Sequence, residues 1–233
     1  MVEAALWGLV GASSLLLGAV IAFTFRIPDR ILGLVMGFGA GVLISAVAYE
    51  LVEEAVRVSV NGVWVGLGFA SGALTFFVGD LLIDRSLGAG GWGILLGTVL
   101  DGLPESAVIG ISLLSGDGVS VAVLVAVFLS NVPEAISATA DLRSGGARRG
   151  RILVLWTAVA IASALAAGLG YSLLGDAPGD TIAWIDAFAA GAILTMLADE
   201  MIPEGYERAG HRKLVGVVTA FGFAVAAALS FQT

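Results

Sequence analysis

Apolar stretches of about 20 residues recur along the whole chain and are separated by short polar turns. A helix of about 20 residues spans a hydrocarbon core roughly 30 Å thick, so each stretch is long enough to cross a bilayer. The pattern predicts an all-α, polytopic membrane protein with eight transmembrane helices in a single domain over residues 1–233. The predicted spans are 4–25, 31–55, 62–83, 93–114, 119–141, 152–174, 181–205 and 214–231.

Composition agrees with this pattern and excludes other classes of protein and of site chemistry. The chain is 58% hydrophobic and 13% charged, and no break between spans is long enough for a soluble domain. It has no cysteine, which excludes disulfides, thiolate metal ligands and redox chemistry on sulfur. The first apolar segment begins Met1-Val2-Glu3, without a basic region, and is too long for a signal peptide, so we predict a retained helix.

Basic residues fall on one side of the predicted topology. If the odd-numbered helices run inward, Arg57 is the one base outside, and the other ten of the 11 lie in interior loops. This asymmetry predicts that both termini lie outside and supports an even number of helices. The interior residues are Arg26, Arg30, Arg85, Arg143, Arg148, Arg149, Arg151, Arg208, Arg212 and Lys213.

Two parts of the chain resemble each other at a shift of 150 residues. Residues 37–50 lie over 187–200, with phenylalanine, glycine and glutamate positions in common. The second and seventh helices run in opposite directions, so the similarity predicts inverted repeats of helices 1–3 and 6–8, with helices 4 and 5 between them. Shared alanine and glycine composition is the alternative explanation. Helices 4 and 5 also repeat each other, with residues 101–105 over 130–134.

A proline followed by a glutamate stands inside three predicted helices, at residues 104–105, 133–134 and 203–204. Proline removes a backbone N–H and frees a carbonyl oxygen one turn earlier, which adds a hard ligand. A single proline explains only a kink, but three prolines each beside a glutamate favour a functional site. A polar residue stands four positions before each glutamate, on the same helix face: Asp101, Ser130 and Glu200.

The central carboxylates have no basic partner in sequence. A carboxylate at the centre of a membrane helix costs roughly 2.5–3.5 kcal/mol on insertion scales. No Lys, Arg or His lies between Arg85 and Arg143, so protons or bound cations must supply the compensating charge, and anion transport is disfavoured. Asp80 and Asp186 carry weaker signals, and His211 is predicted to be a surface residue. Further carboxylates form a predicted entrance and exit: Glu50, Glu53, Glu54, Asp199, Glu200 and Glu204, with a solvated helix end as the alternative for Glu53.

The paired central motifs, together with residues 199–205 in helix seven, resemble the ZIP (Zrt-, Irt-like) family of metal transporters, prokaryotic type. The resemblance implies zinc as the transported metal, an inner (cytoplasmic) membrane, and an elevator-like movement against a scaffold that forms a homodimer. It also implies a metal centre between helices 4 and 5. The residues at the matching ligand positions are Asp101, Glu105, Ser130, Asn131 and Glu134.

The chain departs from that family in its core ligands. The family motifs usually read His-Asn-x-Pro-Glu, whereas this chain has Asp101-Gly102 in one motif and Ser130-Asn131 in the other. A site of oxygen donors suits magnesium, calcium or manganese better than zinc, and iron is a further candidate. Family members with a two-metal centre take another carboxylate from helix six, but this chain has none between Arg151 and Asp176, so we predict one central metal rather than two.

These observations predict a divalent metal cation transporter that works by alternating access, and not an enzyme. The predicted partners are metal ions as substrate and the lipid bilayer, with no nucleic acid. Two alternatives remain: a proton- or sodium-coupled transporter using the same carboxylates, and a membrane protein that binds metal without transporting it. An intramembrane hydrolase is disfavoured because the His-Glu-x-x-His motif is absent. The predicted pathway residues are Glu50, Glu54, Asp199, Glu200 and Glu204.

Overall fold

The computed structural model describes residues 1–87, 91–113, 118–174 and 177–230. This part of the chain is helical and contains no strand. Each helix agrees with a predicted span to within a few residues. The helices are α1 Val2–Thr24, α2 Asp29–Val58, α3 Val63–Leu87, α4 Gly91–Ser112, α5 Val121–Ser144, α6 Arg149–Leu174, α7 Gly179–Arg208 and α8 Leu214–Ser230.

Six helices in the described ranges are long and apolar enough to cross a membrane, namely α1, α2, α3, α5, α6 and α7. Large apolar side chains point away from the bundle, such as Leu6 at 57% exposed, Leu74 at 62% and Leu165 at 60%. Water does not tolerate so much apolar surface, whereas lipid does. A multi-pass helical membrane protein is therefore confirmed, and the count of eight spans stays a prediction.

The helices begin where the sequence supplies starting residues. Pro28 precedes α2 and Pro178 precedes α7, in positions where the missing N–H has no cost. Ser120 caps α5, because its hydroxyl oxygen accepts a hydrogen bond from the backbone N–H of Val123 at 3.3 Å. Asp180 accepts a hydrogen bond from the backbone N–H of Val60 at 2.9 Å, which ties the start of α7 to the turn after α2.

Two helices contain a π turn, over Val47–Val52 in α2 and Leu197–Met201 in α7. The turn in α7 stands just before Pro203, but α2 has no proline near its own turn. Proline alone therefore does not account for these irregularities, contrary to the simplest interpretation of the motif. Each π turn carries a glutamate of the predicted pathway, Glu50 or Glu200, and such turns are frequent at functional sites.

The helices pack as two groups. In the first group, α1 packs on α5 and α6, and α4 packs on α6. In the second, α2 packs on α8, α3 packs on α7, and α2 and α7 run antiparallel. A buried cluster including Leu15, Leu142 and Trp156 joins α1, α5 and α6, and the Trp156 indole N–H donates to the Thr139 hydroxyl at 2.9 Å. The groups meet where α2 contacts α5 and where α4 contacts α3 and α7.

Close helix approach in the second group depends on glycine. A Cβ at Gly41 of α2 would overlap the carbonyl oxygen of Thr219 in α8, and a Cβ at Gly222 of α8 would overlap that of Phe38. The same holds for the other pair, where the backbone of α7 leaves no room for a side chain on α3. There Gly72 lies against the carbonyl oxygen of Phe188, and Gly191 against that of Phe69. Small residues let membrane helices approach closely and pack through their backbones.

We expect Gly41→Ala to lower the stability of the folded protein by about 1–3 kcal/mol, since the added methyl group meets backbone that cannot rotate away. Thermal unfolding in detergent measures this loss as a lower Tm. Gly66→Ala is the matched control, because a Cβ at Gly66 meets nothing within 4 Å. An unchanged Tm for Gly41→Ala would mean that the α2–α8 contact is looser than the structure indicates.

Candidate metal centre

Two carboxylates on different helices come together in the middle of the bundle. Glu105 of α4 is 2% exposed, and Glu134 of α5 is partly buried. They lie close enough for their charges to interact. The paired proline motifs of α4 and α5 thus bring both of their glutamates to one place.

Glu105 has apolar surroundings. Its side chain lines a small pocket whose other walls include Leu51, Val127 and Ile193, and its Oε2 atom has no hydrogen-bond partner among the described residues. A buried carboxylate oxygen without a donor is costly. A proton or a bound cation on Glu105 removes that cost.

Glu134 has a partner that sequence reasoning missed. The Thr98 hydroxyl of α4 hydrogen-bonds to the Glu134 side chain, and Thr98 is 6% exposed. Thr98 lies seven residues before Glu105, two turns away on the same helix face. That spacing is the sequence signal that could have found it.

The other predicted ligands of α5 are buried beside α2. Ser130 is 1% exposed and Asn131 is 6% exposed. The Ser130 hydroxyl donates to the carbonyl oxygen of Val127 at 3.0 Å, which leaves its lone pairs available to a cation. Gly39 of α2 approaches closely, since a Cβ there would lie 3.2 Å from the carbonyl oxygen of Leu129. The side chain of Asp101, predicted as a further ligand, lies outside the described part of the structure.

Among the described residues, no three His, Cys, Asp or Glu side chains lie close enough together to hold a metal ion. Within the described part of the chain, the further donors available to a centre at Glu105 and Glu134 are hydroxyl, amide and carbonyl oxygens, together with water. Donors of this kind match hard divalent cations, which take oxygen ligands and keep some of their water.

More carboxylates continue from Glu134 toward one end of the bundle. Glu134 lies close enough to Glu200 and Glu204 of α7 for their charges to interact. Glu200 is close in the same way to Asp80 and Asp84 of α3. Asp199, predicted with them, is exposed.

Arg208 joins three helices at this end, with its side chain 19% exposed. Its Nε donates to Glu204 at 2.6 Å, and its Nη2 donates to Ser137 at 2.5 Å and to Asp141 at 3.3 Å. Its Nη1 donates to Asp29 of α2 at 3.4 Å. From the sequence, Arg208 was predicted only as a residue of an interior loop, and its network was missed. The spacing of Glu204 and Arg208, four residues apart on one helix, was the available signal.

A cavity of about 680 Å³, here called the vestibule, opens at the opposite end. The Ser120 hydroxyl donates to Glu50 at 2.7 Å, and the Arg57 guanidinium donates to both oxygens of Glu54 at 2.7 and 2.8 Å. The charged residues that line the vestibule are Glu50, Glu53, Glu54, Arg57 and Asp186.

An apolar layer separates the vestibule from Glu105. Leu51, Val108 and Val123 line both the vestibule and the pocket around Glu105. Each of the three is at most 4% exposed. A cation in the vestibule therefore reaches Glu105 only after these side chains move apart.

Comparison with known proteins adds one relative. No family model matches the chain. A protein of Arabidopsis thaliana that carries the name "putative zinc transporter" is 25% identical over 228 aligned residues, which cover 92% of this chain. The chain is similar to a transporter over nearly its whole length. It spans 36% of the length of that relative.

Proposed function

We propose that this chain is a ZIP-like transporter that carries divalent metal cations across the cytoplasmic membrane by alternating access. The observation that carries the proposal is the meeting of Glu105 and Glu134, from two helices, in a stretch of sequence without a single base between Arg85 and Arg143. A membrane protein keeps such a pair where a cation passes. Asp101, Ser130 and Asn131 complete the proposed central site.

The two helix groups support an elevator-like mechanism. In this proposal α1, α4, α5 and α6 move together and carry Glu105 and Glu134 past the scaffold of α2, α3, α7 and α8. The vestibule faces outside and leads the cation past Glu50 and Glu54, and the carboxylates from Glu200 to Glu204 lead it inward. The Arg208 network closes the inner side in the state described here.

The glycine contacts support the inverted repeat. Gly41 corresponds to Gly191 when 150 is added, and Thr219 corresponds to Phe69 when 150 is subtracted. The contact of Gly41 with Thr219 therefore has its counterpart in the contact of Gly191 with Phe69. The same shift relates the contact of Gly222 with Phe38 to that of Gly72 with Phe188. The two π turns also correspond at this shift. Inverted repeats of this kind give a transporter two mirror-related states.

Two arguments about the transported metal favour different ions. The name of the Arabidopsis relative favours zinc. The donors in the centre are oxygens, which favours manganese, magnesium or iron. The proposed assembly is a homodimer through the scaffold, as the family resemblance implies.

Uptake into proteoliposomes tests the proposed function. Purified protein should produce saturable uptake of at least one of zinc, manganese, magnesium or iron above that of protein-free liposomes. Proton and sodium flux are measured in the same vesicles with dyes for each ion. Flux of protons or sodium without uptake of any divalent cation would overturn the metal proposal in favour of a monovalent transporter.

The proposed orientation has its own test. The chain contains no cysteine, so single cysteines label without background. Ser144 is exposed after α5, and Val60 is 91% exposed after α2. We expect a membrane-impermeant thiol reagent to label Ser144→Cys only from the cytoplasmic side and Val60→Cys only from outside. The reverse pattern would contradict the assignment of the vestibule to the outer face.

A further inference from the structure

Asp186 of α7 is a buried carboxylate that the proposed central site and pathway do not use. It is 2% exposed, yet it lines the vestibule. Its Oδ2 atom has no hydrogen-bond partner among the described residues. That oxygen has lost its water and has gained no donor in return.

Packing explains why Asp186 lies beside Glu54. Ala55 of α2 and Ala183 and Ala187 of α7 are all 0% exposed and form a cluster of small side chains. Asp186 lies three residues after Ala183, on the same face of α7, so the close contact brings its carboxylate within range of the Glu54 charge. Both acidic side chains line the vestibule.

Among the described residues, Glu54 has a basic partner and Asp186 has none. Arg57 is the one basic residue among those described in the vestibule wall, and both of its hydrogen bonds of 2.7 and 2.8 Å go to Glu54. Its side chain is 68% exposed, at the rim. An ionised Asp186 therefore carries an unmatched negative charge that repels Glu54, unless a proton or a metal cation neutralises it.

We propose that Asp186 and Glu54 form a capture site for a hydrated divalent cation in the vestibule, separate from the centre at Glu105 and Glu134. Two carboxylates leave most of the coordination sphere to water, in keeping with the absence of any three acidic, His or Cys side chains at metal-binding distance in the described ranges. Glu50, held by the Ser120 hydroxyl, offers a further oxygen in the same cavity.

The capture site has a defined place in transport, and in this respect the inference rests on the proposed function. The apolar layer of Leu51, Val108 and Val123 blocks direct passage from the vestibule to Glu105. A cation held at Asp186 waits beside that layer, so its local concentration is high whenever the layer opens. Loss of the site should therefore raise KM and leave the maximal rate nearly unchanged.

Asp186→Asn tests the proposal in proteoliposomes with Mn²⁺ as the probe. Asparagine has the shape of aspartate without its charge. We expect KM for Mn²⁺ to rise by at least about threefold, with the maximal rate within about twofold of the parent. Glu3→Gln is the matched control, because it removes one charge from an exposed residue at the start of α1, on the same proposed side of the membrane but outside the described vestibule lining. We expect its KM to change by less than about twofold, and an equal rise in both variants would reduce the effect to general electrostatics and overturn the site.

Binding and stability measurements separate a cation site from a structural role. Purified parent protein should bind Mn²⁺ in two classes of sites, and Asp186→Asn should lose one class while keeping the class that Glu105→Gln loses. Without metal, Asp186→Asn should unfold at the same Tm as the parent or higher, because a buried unpaired charge is gone. A lower metal-free Tm, with both Mn²⁺ classes intact, would assign Asp186 a structural role and overturn the proposal.

The two proposals fail differently. If Asp186→Asn leaves KM and both Mn²⁺ classes unchanged while Glu105→Gln abolishes uptake, the capture site is wrong and the transport proposal stands. If the parent transports no divalent cation but Asp186→Asn still removes one class of bound Mn²⁺, the site stands and the transport proposal fails. Asp186→Glu, which retains the charge, should restore the binding class that asparagine loses.

Discussion

Glu105→Gln and Glu134→Gln should each reduce divalent cation uptake in proteoliposomes by at least about tenfold, because loss of even an outer-shell partner of a metal ligand usually costs about 10- to 100-fold. Each substitution removes a charge and keeps the shape of the side chain. In Glu105→Gln a neutral amide replaces the carboxylate in apolar surroundings, where one carboxylate oxygen already has no donor. The folded protein therefore loses little stability. Initial rates of uptake at equal protein amounts measure the effect.

Glu207→Gln serves as the control for this pair, since Glu207 is an exposed glutamate at the end of α7. Its uptake should match that of the parent. Near-parental uptake by Glu105→Gln or Glu134→Gln would remove that residue from the list of principal ligands. Equal Tm values for the variants and the parent would show that any loss is not one of folding.

Arg208→Gln should release the inner end of the bundle. The guanidinium is the group that connects α7 to Ser137 and Asp141 of α5 and to Asp29 of α2. Without it, several acidic groups at this end face one another unpaired, which costs about 1–3 kcal/mol of the state described here. The population should shift toward a state in which the inner end is open and the vestibule is closed.

A cysteine in the vestibule reports this shift. Val121 is 57% exposed and lines the vestibule, so Val121→Cys should label from outside in the otherwise unchanged protein. In the Val121→Cys/Arg208→Gln protein, labelling should be slower, because a free-energy change of about 1–3 kcal/mol shifts the ratio of the two states by about 5- to 150-fold. Arg212→Gln, in an exposed position after α7, is the control and should not change the rate. An unchanged rate in the Arg208 variant would mean that the network does not set the state.

The helices could be predicted because long apolar runs and turn residues are local signals. The packing of the second group could not, since it depends on which glycine meets which carbonyl group, as with Gly41 and Thr219. No proline lies near the π turn in α2 to indicate it in the sequence. Local sequence carries no direct sign of such a turn.

The candidate site shows the same division. The proline motifs pointed to Glu105 and Glu134, and the structure brings these side chains together. Thr98 was missed, Arg208 was predicted only as a loop residue, and Asp186 only as a weak candidate. Each acquires its role from a partner on another helix: Glu134, Ser137 or Glu54. The ligand role of Asp101 and the identity of the metal stay predictions.

Ser120 connects the two helix groups at the vestibule end, where its hydroxyl caps α5 and donates to Glu50 of α2. At the opposite end, Ser137 of α5 binds both the guanidinium and a carboxylate of α7, and the same guanidinium also binds Asp141. A neutral hydroxyl thus connects the two helix groups at one end, and a charged cluster connects them at the other. Among the described residues, separating the helix groups breaks the Ser120–Glu50 hydrogen bond at one end and three hydrogen bonds at the Arg208 end, so the Arg208 end is the harder of the two to open.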